Sequence, residues 1–306
     1  MRHGPWLLVL VLLVGCAHDR TRAPRTTASA PDSADNGGAA TMRDNLQLPQ
    51  SQRYALSRDS SPAGDDAELA AVASLSEPVP KVEPLSRYGN GPTYSVRGKT
   101  YHVLTSVRGY HARGIASWYG RKFHGHLTSS LEPYDMYKFT AAHKTLPLPS
   151  YVRVTNLDNG RSVIVRVNDR GPFHANRLID LSWAAAVRLG IWKHGTGVVD
   201  VEAIDPAHPG ELPPPPAVTA RGRKPLLYLQ VGAYADTGNA ERMLERLHAL
   251  GVAGAQIQRQ QLAGRTLSRV RIGPLDDVDA VDRLTGTLNR HGIKSARVEI
   301  QPTSEE

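Results

Sequence analysis

The sequence predicts a small, mainly β barrel followed by a small α+β domain, and three observations carry that reading. Between about residues 94 and 205, short runs rich in valine, isoleucine and aromatics are broken every few residues by glycine, proline or asparagine, which is strand spacing. From residue 226 the order becomes strand, helix, strand, strand, helix, strand, with leucine-lined helical faces. The stretches outside these two regions lack hydrophobic periodicity, and with 27 glycines and 22 prolines among 306 residues much of the chain reads as linker.

At the N-terminus, Arg2 and His3 precede the apolar run from Trp6 to Val14, which is too short to span a bilayer and reads as an export signal over residues 1–15. Leu13-Val14-Gly15-Cys16 resembles a bacterial lipobox, so Cys16 is the expected acylation site. Cys16 is the only cysteine, which excludes an intramolecular disulfide. Several acyl chains, at about 0.8 kcal/mol per buried methylene, give durable membrane attachment. Ala17 stands where an aspartate would resemble an inner-membrane retention signal, so the inner leaflet of the outer membrane is the expected location.

Residues 16–92 read as a lipidated disordered tether, rich in Ala, Ser, Asp and Pro, able to reach on the order of 50 Å. The barrel domain is expected over residues 93–205, with strands at 100–107, 114–118, 151–156, 162–168 and 197–204. Leu157-Asp-Asn-Gly160 is a hairpin turn, because Asn-Gly supplies two residues at positive φ. Ser182 and Gly190 bracket one helix as N-cap and stop.

Residues 206–224 contain four consecutive prolines, Pro213 to Pro216, and read as a semi-rigid linker. The second domain, residues 225–302, places strands at 226–233, 255–260, 267–272 and 295–300. One helix gathers Ala240, Met243, Leu244, Leu247 and Leu250 on a face, and a second gathers Val281, Leu284 and Leu288. A four-stranded sheet with both helices on one side follows, leaving the other face open for a ligand. Strand alternation points Leu229, Val231 and Ala233 to the helices and Tyr228, Gln230 and Tyr234 to the open face, with Arg269 and Arg271 on one side of their strand.

The formal net charge of +8 raises nucleic acid as a partner, but export and the lack of basic runs interleaved with aromatics argue against it; the charge fits association with the anionic wall. His111, His124, His126 and His143 show no metal-ligand spacing, and neither a phosphate-cradling glycine loop nor a Ser-His-Asp signature appears. No metal or cofactor is expected.

Gly114-Ile-Ala-Ser-Trp-Tyr-Gly120, Phe123-His-Gly125, Tyr134-Asp-Met136, residues 140–150, Val167-Asn-Asp-Arg-Gly-Pro-Phe173 and Ile179-Asp-Leu181 together resemble the rare lipoprotein A family. Gln230-Val-Gly-Ala-Tyr234 and Arg269-Val-Arg-Ile-Gly-Pro274 resemble the sporulation-related repeat, a module that binds peptide-free glycan. The resemblance implies a six-stranded double-psi β-barrel and a lytic transglycosylase acting at the division septum on peptide-free strands. Such an enzyme cuts the bond from N-acetylmuramic acid to N-acetylglucosamine and closes a 1,6-anhydro ring. Because the nucleophile is the sugar's own 6-hydroxyl, one carboxyl can serve as acid and then as base.

The motif match puts Asp169 first for that role, with Glu132 as neighbouring carboxylate or sugar ligand and His143 holding a carboxyl in place; which carboxyl donates stays open. Many relatives carry glycine where Leu131 stands. Trp118 and Tyr119 either stack on sugar rings or pack in the barrel, and Tyr134 belongs with them as a substrate-side aromatic. Arg170 either contacts the lactyl carboxylate of muramic acid or pairs with Asp180. Gln230, Tyr234, Arg269 and Arg271 are the expected glycan contacts of the repeat. The alternative is a wall-binding septal lipoprotein that uses its barrel only as a binding cleft.

Overall fold

The computed structural model describes residue 56 and residues 58–208, 224–262 and 264–301. The export signal, Cys16, the first part of the tether and the proline run lie outside them. In chain order the described part opens with helix α1 (Asp66–Ser74) and a hairpin of β1 (Thr93–Val96) and β2 (Lys99–His102). Strands β3 (His111–Tyr119), β4 (Thr140–His143), β5 (Ser150–Asn156), β6 (Ser162–Asp169), β7 (Arg177–Ser182) and β8 (Thr196–Ile204) follow, with α2 (Trp183–Leu189) between β7 and β8.

These six strands close a barrel in the order β3-β7-β4-β6-β5-β8. The β3–β7 and β4–β6 pairs are parallel and the rest antiparallel, which is the six-stranded architecture the resemblance implied. Alternate valines fill it: Val152, Val154, Val163, Val165, Val167, Val199 and Val201 are buried together with Ile179 and Leu181. Helix α2 starts and stops where its sequence dictates. Ser182 accepts a hydrogen bond from the Ala185 N–H, and Gly190 takes φ 77°, ending the helix in the left-handed region.

Three expectations need correction. Residues 100–107 do not join the barrel; β2 pairs only with β1 in a separate two-stranded sheet. Strands β4 and β7 carried no strand expectation, because Thr140-Ala-Ala-His143 is short and β7 begins with a charged residue. At the β5–β6 turn only Gly160 takes positive φ, 73°, so the turn is not the paired positive-φ type.

The tether is also shorter than expected. Residues 58–92 run along the barrel as a strap, held by hydrogen bonds to groups the barrel would otherwise leave unpaired. Asp59 accepts from the Gly120 and Lys122 N–H groups, Glu77 from the Ile164 N–H, and the Ser86 N–H donates to the Leu148 carbonyl. Val72 of α1 is buried in the barrel's core cluster, and Arg188 donates to the Val72 and Leu75 carbonyls at the end of α1. The composition was read as disorder because these contacts are mostly backbone and carboxylate bonds, which leave no hydrophobic period.

The second domain comprises β9 (Leu226–Tyr234), α3 (Thr237–Ala249), β10 (Ala255–Leu262), β11 (Arg265–Leu275), α4 (Val278–Arg290) and β12 (Arg297–Gln301). Its antiparallel sheet has the order β10-β11-β9-β12. Leu229, Val231, Val270 and Ile272 of the sheet bury against Ala240, Leu247, Val281 and Leu288 of the helices.

Candidate active site

One row of residues crosses four barrel strands. Ser117 on β3 pairs with Asp180 on β7, Asp180 with Ala142 on β4, and Ala142 with Asp169 on β6. Residues paired across strands project to the same face, so the two carboxyls look out of one face with only a methyl group between them. At about 4.8 Å per strand their Cα atoms are about 10 Å apart, room for a sugar ring to be addressed from both sides. The irregularity between Ala141 and Ala142 is what puts Asp169 there, because a register shift flips the following side chain to the other face.

The two carboxyls are held differently. Oδ1 of Asp169 accepts from the Ser129 N–H at 2.8 Å, the Ser129 hydroxyl at 2.7 Å and the Arg170 N–H at 2.7 Å. Burial pushes this carboxyl up from its ordinary range, and those donors with the Arg170 charge work against it. Asp180 accepts from Ser117, and among the described residues its Oδ1 is buried without a partner. Burial raises its pKa to about 6; the Ser117 bond and the Arg177 charge oppose this, and the nearby Asp59 and Asp169 carboxylates add to it. Asp169 thus has three donors that favour its charged form where Asp180 has one, and the pKa of about 6 keeps a protonated fraction of Asp180 available in mildly acidic solution.

Glu132, in the loop between β3 and β4, reaches Arg166 and Asn168 of β6. Arg166 grips it in a bidentate pair at 2.6 and 3.0 Å, and the Asn168 amide donates to it at 3.0 Å. Burial works to raise this carboxyl, but the Arg166 and Asn168 bonds with the Arg166 charge outweigh it and leave the pKa low. Its partners are Arg166 and Asn168, and it shares the Arg166 charge with Glu83 of the strap, so its own charge is partly offset. The preceding Leu131 adopts φ 60°, a backbone conformation glycine takes without cost.

His143 contacts neither carboxyl, correcting the expectation that it holds one. It pairs with Ile179 and so points to the opposite, interior face. Its Nδ1 accepts from the Thr145 and Leu146 N–H groups, which assigns the proton to Nε2, 2.9 Å from the Tyr110 hydroxyl. Burial, with the charges of Lys144 and Arg170, lowers its pKa to about 3, so the ring is neutral.

The aromatic and arginine expectations also change. Tyr119 and Tyr134 stack on each other at 4.0 Å and are 6% and 3% exposed, leaving no ring face for a sugar. The Trp118 indole N–H donates to the Trp192 carbonyl, and the ring packs against the barrel cluster. The Arg170 guanidinium donates to the Gly89, His143 and Leu146 carbonyls and to Asn90 Oδ1, and does not reach Asp180. It locks the strap to the β4–β5 loop. Asp180 was missed as a site residue although its Ile-Asp-Leu motif was visible; the signal was a carboxylate between two buried apolar residues, Ile179 and Leu181.

On the second domain, Arg271 pairs with Gln230 and its guanidinium lies 4.2 Å from the Tyr228 ring centroid. Gln230 Oε1, Arg271 Nε and Nη1 and Arg269 Nε are buried without partners, a set of donors and an acceptor on one sheet face. Tyr234 is not among them. The register shift between Val270 and Arg271 pairs Tyr234 with buried Ser268, and its ring sits over Gly232 against the helix-side core. The same shift turns Ala233 to the Arg269 side.

The lytic transglycolase family matches residues 111–203 and the SPOR domain family residues 225–299. An endolytic peptidoglycan transglycosylase RlpA of Pseudomonas aeruginosa is 42% identical over 263 residues, covering 69% of this chain and 77% of that protein. The RlpA of Vibrio cholerae is 53% identical over 152 residues, covering 50% of this chain and 56% of its own. A crystal structure of the RlpA SPOR domain from Pseudomonas aeruginosa is 30% identical, covering 24% of this chain and 96% of that one, with a TM-score of 0.23. Both domains match in the order the fold presents them, and the Pseudomonas relative is covered over most of its length: this chain belongs to the RlpA family.

Proposed function

We propose that the protein is a lytic transglycosylase that cleaves peptide-free peptidoglycan strands between N-acetylmuramic acid and N-acetylglucosamine, leaving 1,6-anhydro ends. The observation that carries this reading is the Asp169–Asp180 row, two carboxyls on one sheet face with unequal sets of hydrogen-bond donors. Asp180 gives its proton to the glycosidic oxygen as the bond to the muramic C1 breaks. The charge developing at C1 is met by the Asp169 carboxylate, fixed by Ser129 and the Arg170 N–H. The muramic 6-hydroxyl then attacks C1, and Asp180, now a carboxylate, takes its proton and is ready again. No water is consumed, so a single acid/base group suffices.

The repeat supplies a second hold on the strand. Gln230, Arg269 and Arg271 offer unpaired polar atoms suited to sugar hydroxyls and lactyl carboxylates, and the Arg271 guanidinium lies over the Tyr228 ring. Acylation of Cys16 would keep the enzyme on the periplasmic face of the outer membrane, and affinity for peptide-free strands would concentrate it at the septum. The test is to incubate the mature chain with amidase-treated sacculi and analyse the products by mass spectrometry. Anhydromuramic ends that disappear in Asp180→Asn and Asp169→Asn support the proposal. Intact sacculi that merely bind the protein would leave a wall-binding lipoprotein instead.

A further inference from the structure

A cleft of about 580 Å³ opens beside the carboxyl row. It is lined by Thr140, Arg166 and Asn168 of the barrel strands, by the loop carrying Glu132 and Lys138, and by the strap carrying Lys81 and Glu83. Arg166 ties the two walls together: it holds Glu132 on the loop and Glu83 on the strap with paired hydrogen bonds. The strap is therefore a built side of the cleft.

The polar atoms in it are arranged for a particular ligand. Asn168 is 4% exposed and gives its amide N–H to Glu132, while its Oδ1 is buried without a partner. An acceptor in that state needs a donor such as a sugar hydroxyl or an N-acetyl N–H. The partly exposed Glu83 and Glu132 carboxylates can accept hydroxyls as well, and Arg166 offsets part of their charge. At the rim, Lys138 lies 3.7 Å from Asp135, whereas Lys81 is exposed and makes no ion pair among the described residues. Lys81 feels the Glu83 carboxylate only at a distance, without an ion pair, and acceptors beside such an exposed cation match an N-acetylhexosamine that carries a carboxylate. Arg170, the other candidate for that carboxylate, is spent on carbonyls.

We propose that this cleft is a muramic acid subsite in which Lys81 of the strap recognises the free lactyl carboxylate and Asn168 receives a donor from the sugar. The inference rests on the transglycosylase reading for its substrate, and it gives that reading a source of preference for peptide-free strands: a stem peptide converts the carboxylate to an amide and removes the charge Lys81 meets.

The experiment is a binding titration of the full mature chain, carrying Asp180→Asn to prevent turnover, with a peptide-free muramic-acid-containing tetrasaccharide and with a chitin tetrasaccharide lacking the lactyl group. Lys81→Met is expected to weaken the first about fivefold, as one partly solvated charge contact does, and to leave the second unchanged. Lys81→Arg restores affinity, and the Asn168 side-chain amide resonances shift on adding either sugar. Equal affinity of parent and Lys81→Met for the muramic tetrasaccharide, or Asn168 resonances that do not respond, would overturn the subsite. Product formation from sacculi is read separately, so loss of the transglycosylase reading is not confused with loss of the subsite.

Discussion

Replacing Asp180 by asparagine keeps the shape of the side chain and removes its ionisation, and the structure predicts that this stabilises the protein. The carboxyl has a pKa of about 6 in the fold against an ordinary 3.8. The folded state thus binds the proton more tightly than the unfolded chain, and stability falls as pH rises from 3.8 through 6. At about 1.4 kcal/mol per pKa unit, the ionised group costs about 3 kcal/mol above that window. Asparagine carries no such cost, so Asp180→Asn should exceed the parent by about 3 kcal/mol at neutral pH and by only about 1 kcal/mol near pH 4.5. For a chain with this much folded sequence that is on the order of 5–10 °C in melting temperature. Urea unfolding followed by tryptophan fluorescence at both pH values measures the difference. A variant no more stable than the parent at neutral pH, or a gap that does not shrink in acid, would refute the reasoning.

Other outcomes follow from the same contacts. His143 has its pKa lowered to about 3, so its ring should stay neutral down to about pH 4.5 by NMR, and the stability it contributes, present above 6.5, should be lost as pH falls toward 3; a midpoint near 6 contradicts its burial. Arg166→Met leaves Glu83 and Glu132 facing each other without their cation and should cost about 2 kcal/mol in denaturant unfolding, part of it recovered by adding Glu132→Gln. Tyr234→Phe should leave sacculus binding unchanged while Arg271→Ala weakens it, because Arg271 shares the open face with Gln230 and Tyr234 does not.

The fold was largely legible because its signals are local. The leucine faces of α3 and α4, the Ser182 cap, the Gly190 stop and the valine runs of β5, β6 and β8 each follow from residue spacing. What escaped depends on contacts distant in sequence. The strap is held by single carboxylates such as Asp59, Glu77 and Glu83, which read as solvated charge until their partners 60 or more residues away are known. The site failed in a related way. Strict period-two counting cannot see the shifts near Ala142 and Val270, and those shifts decide that Asp169 joins Asp180 and that Tyr234 leaves the glycan face. Motif matching located Asp169, Glu132 and His143 and put Asp169 first, but it left open which carboxyl donates, since protonation depends on burial and on how many donors each group receives.

The most direct test of the central claim, that Asp180 is the proton donor, is the pH dependence of anhydromuramic end formation from peptide-free strands. With a donor pKa of about 6, the rate should fall about tenfold per pH unit on the alkaline side, and Asp180→Asn should produce no anhydro ends at any pH. A rate that stays flat from pH 5 to 8, or anhydro ends that persist in Asp180→Asn, would contradict the assignment.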